Sequence, residues 1–162
     1  MIVVVADTSP LNYLVQIDCQ ELLAALYQRV LVPPAVMNEL DRPRTPAAVR
    51  AWVDHLPAWV EVRAVQSTLP ATLAGLDPGE QEAIQLAQEQ HADLLLMDER
   101  RAVAFARRHG LEVTGTLGVL VQAARLGLVE IDAALNRLQT TDFRATPELF
   151  AHARASGAKV DH

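Results

Sequence analysis

Four acidic residues stand at punctuated places in the chain. Asp7 closes the apolar run IVVVA, Asp98 closes LLLM, Glu39 falls in VPPAVMNEL and Glu80 in LDPGEQEAI. Carboxylates at such places suit two kinds of work: capping helix N-termini, or holding a hard divalent cation. A cation held by acids, with water in its open positions, is the apparatus of phosphodiester hydrolysis. It lowers the pKa of a bound water and stabilises charge gathering at phosphorus. Which work applies depends on whether the chain brings the four acids together.

Taken singly, each acid has a plain structural role. Asp7 can cap the helix that follows it, with Thr8 and Ser9 as local partners. Glu80 lies three residues after Asp77, the spacing of a capping box, in a first helical turn where negative charge suits the dipole. Glu82 is its rival for any catalytic role, but points to another side of the same helix. Glu39, followed by Leu40 and Asp41, fits a solvated helix end, and Asp98 with Glu99 fits a first turn. What favours chemistry is coincidence: under one topology all four acids reach the same edge.

That topology follows from the elements. Short apolar runs at 2–6, 30–32, 60–65, 94–97 and 111–113 predict strands. Helical patterns occupy 10–28 in one or two pieces, 34–40, 46–55, 78–90, 100–109, 116–126 and 131–138, with a further helix at 147–155 and a surface loop at 66–74. Pro34, Pro46 and Pro78 stand where helices can start, Gly110 and Gly127 where they can stop. Strands alternating with helices predict an α/β fold of three layers, α/β/α. Its central sheet is mostly parallel, with about five strands, covered on both faces. One domain is expected over 1–162, with 140–162 a C-terminal extension packed on it. In such a sheet, ligands bind beyond the carboxyl ends of the strands where strand order reverses. Asp7 and Asp98 end strands there, and the helices carrying Glu39 and Glu80 begin there.

Clustered carboxylates repel one another, and a divalent cation relieves the repulsion. An oxygen-only set favours Mg²⁺ or Mn²⁺ over Zn²⁺. The histidines His55, His91, His109, His152 and His162 show no metal-ligand spacing, and the lone Cys19 is expected to be a small packing residue.

The net charge of −6 repels phosphate backbones, which argues against a non-specific nucleic-acid coat. It leaves room for a nucleic-acid enzyme whose acids sit in a metal pocket while arginines handle phosphates. Arg100 with Arg107, and Arg101 with Arg108, are seven apart on shared helix faces behind Asp98, and Arg42 and Arg44 follow Glu39. For Arg107 and Arg108 a solvated helix face with a basic end is the plainer reading, and for Arg100 the two readings stand level. Aromatic residues make up only 4%, too few for base stacking as a main mode. With 51% apolar residues the chain can bury one sizeable core. No apolar run is long enough to cross a bilayer, and the N-terminal run does not resemble a signal peptide, so a cytoplasmic location without a membrane partner is expected. TGTLG at 114–118 lacks the spacing of a dinucleotide loop. An acceptor-aspartate phosphatase or receiver domain is disfavoured, because no second aspartate stands two residues after Asp7 and Lys159 is the only lysine.

At these residues the chain resembles the PIN-domain ribonucleases, the family that includes the VapC-like toxins of prokaryotic toxin–antitoxin pairs. ADTSPL looks like the family's first motif, VPPAVMNEL its second, GLDPGEQEAIQLA its third and ADLLLMDERRA its fourth. TGTLGVL at 114–120, with the long C-terminal tail, resembles a less characterised branch of VapC-like proteins. The resemblance implies a metal-dependent endoribonuclease in which Asp7, Glu39 and Asp98 are catalytic ligands of Mg²⁺ (or Mn²⁺). It implies a further acid at Glu80, where many relatives have Asp, and leaves Glu82 as its competitor. Many relatives also have a threonine two residues before the last acid, and here that position is Leu96. A hydroxyl supporting Asp98 must then come from elsewhere, with Ser9, Thr114 and Thr116 as candidates; Arg100 is a candidate RNA contact. The partners implied are an RNA substrate, an antitoxin protein and a second copy of the chain. The apolar helices at 11–26 and 117–126 carry more Leu, Val and Ala than one face requires. The competing expectation is a catalytically inactive PIN-like module that binds protein or RNA.

Overall fold

The computed structural model describes residues 2–158; residue 1 and residues 159–162, with His162 and the end of the expected extension, lie outside the described residues. Strands β1 (Val4–Ala6), β2 (Val30–Val32), β3 (Val60–Val62), β4 (Leu94–Leu96) and β5 (Val113–Thr114) pair in parallel in the order β3-β2-β1-β4-β5. β1 and β2 are buried at every position, as strands covered on both faces must be, and neither contains a polar residue.

Period-two alternation divides the core. Val4, Ala6, Val30, Val32 and Leu96 enter one cluster. It is shared with α1 (Thr8–Gln16), α2 (Glu21–Tyr27), α3 (Pro34–Leu40), α4 (Ala47–Asp54), α7 (Thr116–Arg125), α8 (Ile131–Leu138) and α9 (Pro147–Gly157). Val5, Leu31, Leu95 and Val113 enter the other, with α5 (Pro78–Glu89) and α6 (Arg100–Arg108). Each fully buried Leu, Ile or Val stabilises the fold by roughly 1.5–3 kcal/mol relative to an exposed one. This is the predicted three-layer α/β/α arrangement.

The path of the chain sets the functional edge. From β1 it runs through β2 to β3 in one direction. Helix α5 then carries it back past β1 to β4, so strand order reverses between β1 and β4. Ala6 stands opposite Leu96 in that pair, and the Asp7 backbone N–H donates to the Leu96 carbonyl at 2.9 Å. Asp7 and Asp98 therefore leave neighbouring strands at the switch point.

Several boundaries differ from expectation. The stretch 10–28 breaks into α1 and α2 because Asp18 adopts a left-handed φ of 60°. α1 begins at Thr8, with Pro10 inside the first turn, where no backbone donor is needed. β3 ends at Val62, on the sheet's edge, and β5 is shifted to Val113–Thr114. The expected loop at 66–74 contains a short 3-10 turn, Ala71–Leu73, anchored by buried Leu73. α9 runs two residues past 155, where Gly157 allows close packing on α8: a Cβ there would lie 2.7 Å from Ile131 Cγ1. Cys19 is buried, as expected. Most of the surplus apolar residues of α1 and α7 pack inward, including Leu11, Leu14, Val119 and Leu120. Leu126 and Leu128, at the turn into α8, remain exposed. No helix among the described residues is long and apolar enough to cross a membrane.

Candidate active site

Asp7 directly follows β1 and is only 3% exposed. It occupies the N-cap position of α1, yet its side chain makes no capping hydrogen bond, so the capping role open to it by sequence is not taken up. Its Oδ1 is buried with no partner among the described residues. Burial pushes its pKa up to about 8, the Thr8 amide opposes the shift, and the negative charges of Asp77, Glu80 and Glu39 add to it.

Glu39, near the end of α3, leans toward the sheet edge as its position allows. Its Oε2 accepts from the Thr8 hydroxyl at 2.6 Å and its Oε1 from the Gly79 backbone N–H at 3.0 Å. Glu39 thus joins the start of α1 to the start of α5. A Cβ at position 79 would lie 2.8 Å from both Glu39 oxygens, so glycine is what lets the α5 backbone approach the carboxylate.

Glu80 performs the structural role its spacing suggested. Its backbone N–H donates to Asp77 Oδ1 at 2.8 Å, and its Oε1 accepts from the Asp77 N–H at 3.1 Å, closing a capping box. It is also buried, and desolvation raises its pKa to about 7, helped by the charges of Asp77, Glu99 and Glu39 against the Asp77 backbone bond. Capping and membership of the acidic cluster coincide in one side chain. Glu82 faces elsewhere: its Oε1 accepts from the Ala35 N–H at 3.0 Å, tying α5 to the first turn of α3.

Asp98 is held by α7. Oδ1 accepts from the Thr116 N–H at 2.7 Å and Oδ2 from the Thr116 hydroxyl at 2.6 Å. Burial raises its pKa and the two Thr116 bonds oppose the rise. Of the three candidate hydroxyls, Thr116 is the one that bonds Asp98. Ser9 lines a cavity of about 400 Å³ together with Asp98. The Thr114 hydroxyl packs against Gly118, where a Cβ would collide with it.

Asp77, Glu80 and Glu39 act on Asp7, and Asp77 and Glu39 act on Glu80 as well, whereas the shift of Asp98 comes from burial and Thr116. The acids are not drawn to a single point: among the described residues, no group of three or more His, Cys, Asp or Glu side chains is arranged to hold a metal ion. Glu39, Glu80 and Asp98 face protein donors instead. The donor chemistry nonetheless fits a hard divalent cation, being oxygen-only, and the orphaned Asp7 oxygen is a buried acceptor that such a cation satisfies.

Arg42 and Arg44 line a cavity of about 520 Å³ that also includes Thr8 and Glu39. Arg100, exposed at the start of α6, lines none of the recesses that contain Glu39 or Asp98. Thr8, which the sequence offers only as a local partner of Asp7, bonds Glu39 instead. Asp142 and Arg144 lie in the tail, away from every motif, and only folding brings them to the edge.

No curated protein matches the chain. A family model described as a PIN domain matches residues 3–157, nearly all of the chain. PIN domains are generally nucleases, and the parallel five-stranded sheet with acids at its switch point has that architecture. The chain belongs to the PIN-domain family, a fold of nuclease type.

Proposed function

We propose that this chain is an endoribonuclease dependent on Mg²⁺ or Mn²⁺, with Asp7, Glu39, Glu80 and Asp98 as its catalytic acids and RNA as its substrate. It acts in the cytoplasm as the toxin of a prokaryotic toxin–antitoxin pair, as a homodimer restrained by an antitoxin protein. The observation that carries the catalytic part is Asp7: a carboxylate 3% exposed, with an unpartnered oxygen, in the field of other acids. Such a group is unfavourable for folding and persists where function uses it. The toxin role is supported by the resemblance of the four motifs, and a small gene directly beside this one is its cheapest check.

A divalent cation held by Asp7 with Glu39, Glu80 and Asp98 would supply an acidified water and positive charge at phosphorus. The chain does the rest. Thr116 fixes the plane of Asp98, Thr8 and the Gly79 amide orient Glu39, and Asp77 holds Glu80 in the first turn of α5. Burial of Asp7 keeps bulk water from competing for its oxygens. Asp7→Asn and Asp98→Asn are expected to abolish Mg²⁺-dependent RNA cleavage while leaving the circular dichroism spectrum unchanged; undiminished cleavage refutes the assignment.

A second reading, an inactive module that binds RNA or protein, is favoured by the protein donors already engaging Glu39, Glu80 and Asp98. Calorimetric titration with Mn²⁺ separates the two: the nuclease loses its Mn²⁺ binding in Asp7→Asn, whereas the module shows no carboxylate-dependent binding to lose.

A further inference from the structure

The connection between α8 and α9 forms a wall along the acidic edge. Thr140, Thr141 and Asp142 line the cavity of about 520 Å³ that holds Glu39. Asp142, Phe143 and Arg144 line the one of about 400 Å³ that holds Asp98. Phe143 and Arg144 continue into a third, of about 260 Å³, with Asp98 and Gly115. Shared lining residues join the three recesses into one groove, with Arg42 and Arg44 toward one end and Arg144 toward the other.

The wall is fixed from within. Phe143 packs edge-on against Tyr13, ring centroids 5.1 Å apart, and against Phe150 at 6.1 Å. The Thr141 hydroxyl donates to the Leu138 carbonyl at 2.6 Å and accepts from the Phe143 N–H at 3.1 Å. These contacts present the exposed Arg144, the next residue, to the recess on the Asp98 side. Among the described residues Arg144 forms no salt bridge, although Asp98, Glu99 and Asp142 line that recess with it. A guanidinium beside three carboxylates and paired with none is available to an oxyanion from outside.

We propose that Arg144 binds a backbone phosphate of RNA on the Asp98 side of the groove, making the α8–α9 connection part of the substrate-binding surface. The identity of the anion rests on the ribonuclease reading given above. The need for such a residue is electrostatic. A groove lined by the half-buried Glu39 and Asp98 and the exposed Glu99 and Asp142 repels a polyanion, and cations at its two ends offset that repulsion where the strand enters and leaves. Arginine suits the task because its planar fork matches phosphate oxygens two at a time. None of Arg100, Arg101, Arg107 and Arg108 lines these three recesses, which leaves Arg144 as the cation on that side.

The test is the affinity of the full chain for a fluorescein-labelled single-stranded RNA, followed by anisotropy over a range of salt, with EDTA present so that binding is read without cleavage. Arg144→Ala is expected to weaken binding about tenfold. The same variant should reduce the slope of log K against log salt by about 0.7, the loss of one phosphate contact on a single strand. Arg144→Lys should keep the slope, and Arg29→Ala, before β2 at the opposite edge of the sheet and paired with Glu61, should match the wild type. Equal affinity and slope for Arg144→Ala and wild type overturn the proposal, as does a wild-type chain that binds RNA neither in EDTA nor in Mg²⁺. An Arg144-dependent salt slope in a chain that never cleaves RNA upholds the binding surface and strikes the catalytic reading alone.

Discussion

Thr116 holds both oxygens of Asp98, its backbone N–H on Oδ1 at 2.7 Å and its hydroxyl on Oδ2 at 2.6 Å. The first turn of α7 thereby sets the orientation of a carboxylate that leaves β4, and it does so where Leu96 offers no hydroxyl. Thr116 is fully buried, so neither bond is shared with solvent. Thr116→Val keeps the shape and removes one charge-assisted donor, at a cost of about 1.5–3 kcal/mol. That corresponds to a drop in Tm of roughly 3–12 °C for a domain of this size. The same change takes away a bond that holds the Asp98 pKa down, so RNA cleavage should fall and its pH dependence should move upward. Thr116→Ser should behave as wild type in both thermal unfolding and cleavage.

Gly79 gives a second way to reach the site without touching a charge. Its N–H donates to Glu39, and a Cβ there would stand 2.8 Å from the carboxylate oxygens. The obstacle is the far end of a side chain, so Gly79→Ala is expected to displace Glu39 rather than the backbone. Alanine is also the better helix former, by about 1 kcal/mol. The expected outcome is cleavage reduced at least about tenfold, with the urea midpoint within experimental error of wild type.

The sheet was readable because its strands are short, apolar and free of polar breaks, and because Pro34 and Pro78 mark helix starts that must lie at one edge. Asp7 and Asp98 were readable for the same reason, each closing an apolar run at the point where a buried strand has to end. What the residues alone could not settle was which donors meet the acids. Glu80 and Glu82 are two residues apart in one turn, and only the packing of α5 on α3 decides that Glu82 meets the Ala35 amide. Likewise Ser9, Thr114 and Thr116 were equal candidates until the start of α7 was placed over Asp98. Arg144 had no local signature at all, since the role proposed for it depends on the half-buried Phe143 packing between Tyr13 and Phe150.

Glu82 and Glu80 should therefore separate by experiment. Glu82 accepts a backbone N–H at the start of α3, as an N-cap side chain does, so Glu82→Ala is expected to lower stability by about 0.5–2 kcal/mol. Folded Glu82→Ala should still cleave RNA. Glu80→Gln should do the opposite for function, since the amide retains an oxygen for the Asp77 N–H but loses the charge. Denaturant midpoints and cleavage rates on the same preparations check both; cleavage lost with Glu82→Ala and kept with Glu80→Gln would reverse the assignment of the third acid.

The acids also set how stability depends on pH when the cation is withheld. Asp7 is raised from 3.8 to about 8 and Glu80 from 4.5 to about 7, in both cases chiefly by burial. In the unfolded chain both groups ionise near their ordinary values, whereas the folded chain retains their protons until the higher pKa is reached. Across that window the native state binds more protons, so stability is fully present below the unfolded values and declines as pH rises toward about 8. In EDTA, Tm at pH 5 should exceed Tm at pH 8. Asp7→Asn carries no titrating proton at that position and should flatten the decline, raising Tm at pH 8 by about 2–4 °C for each kcal/mol relieved. Added Mg²⁺ acts in the opposite sense on the wild type, because a cation favours the ionised acids; it should raise wild-type Tm at pH 8 and leave Asp7→Asn nearly unmoved. Thermal scans of both proteins from pH 5 to pH 8, with EDTA and with Mg²⁺, read all of these at once. Parallel pH profiles for wild type and Asp7→Asn would mean that Asp7 is already ionised without a cation, and that its unpartnered oxygen exerts no pull on one.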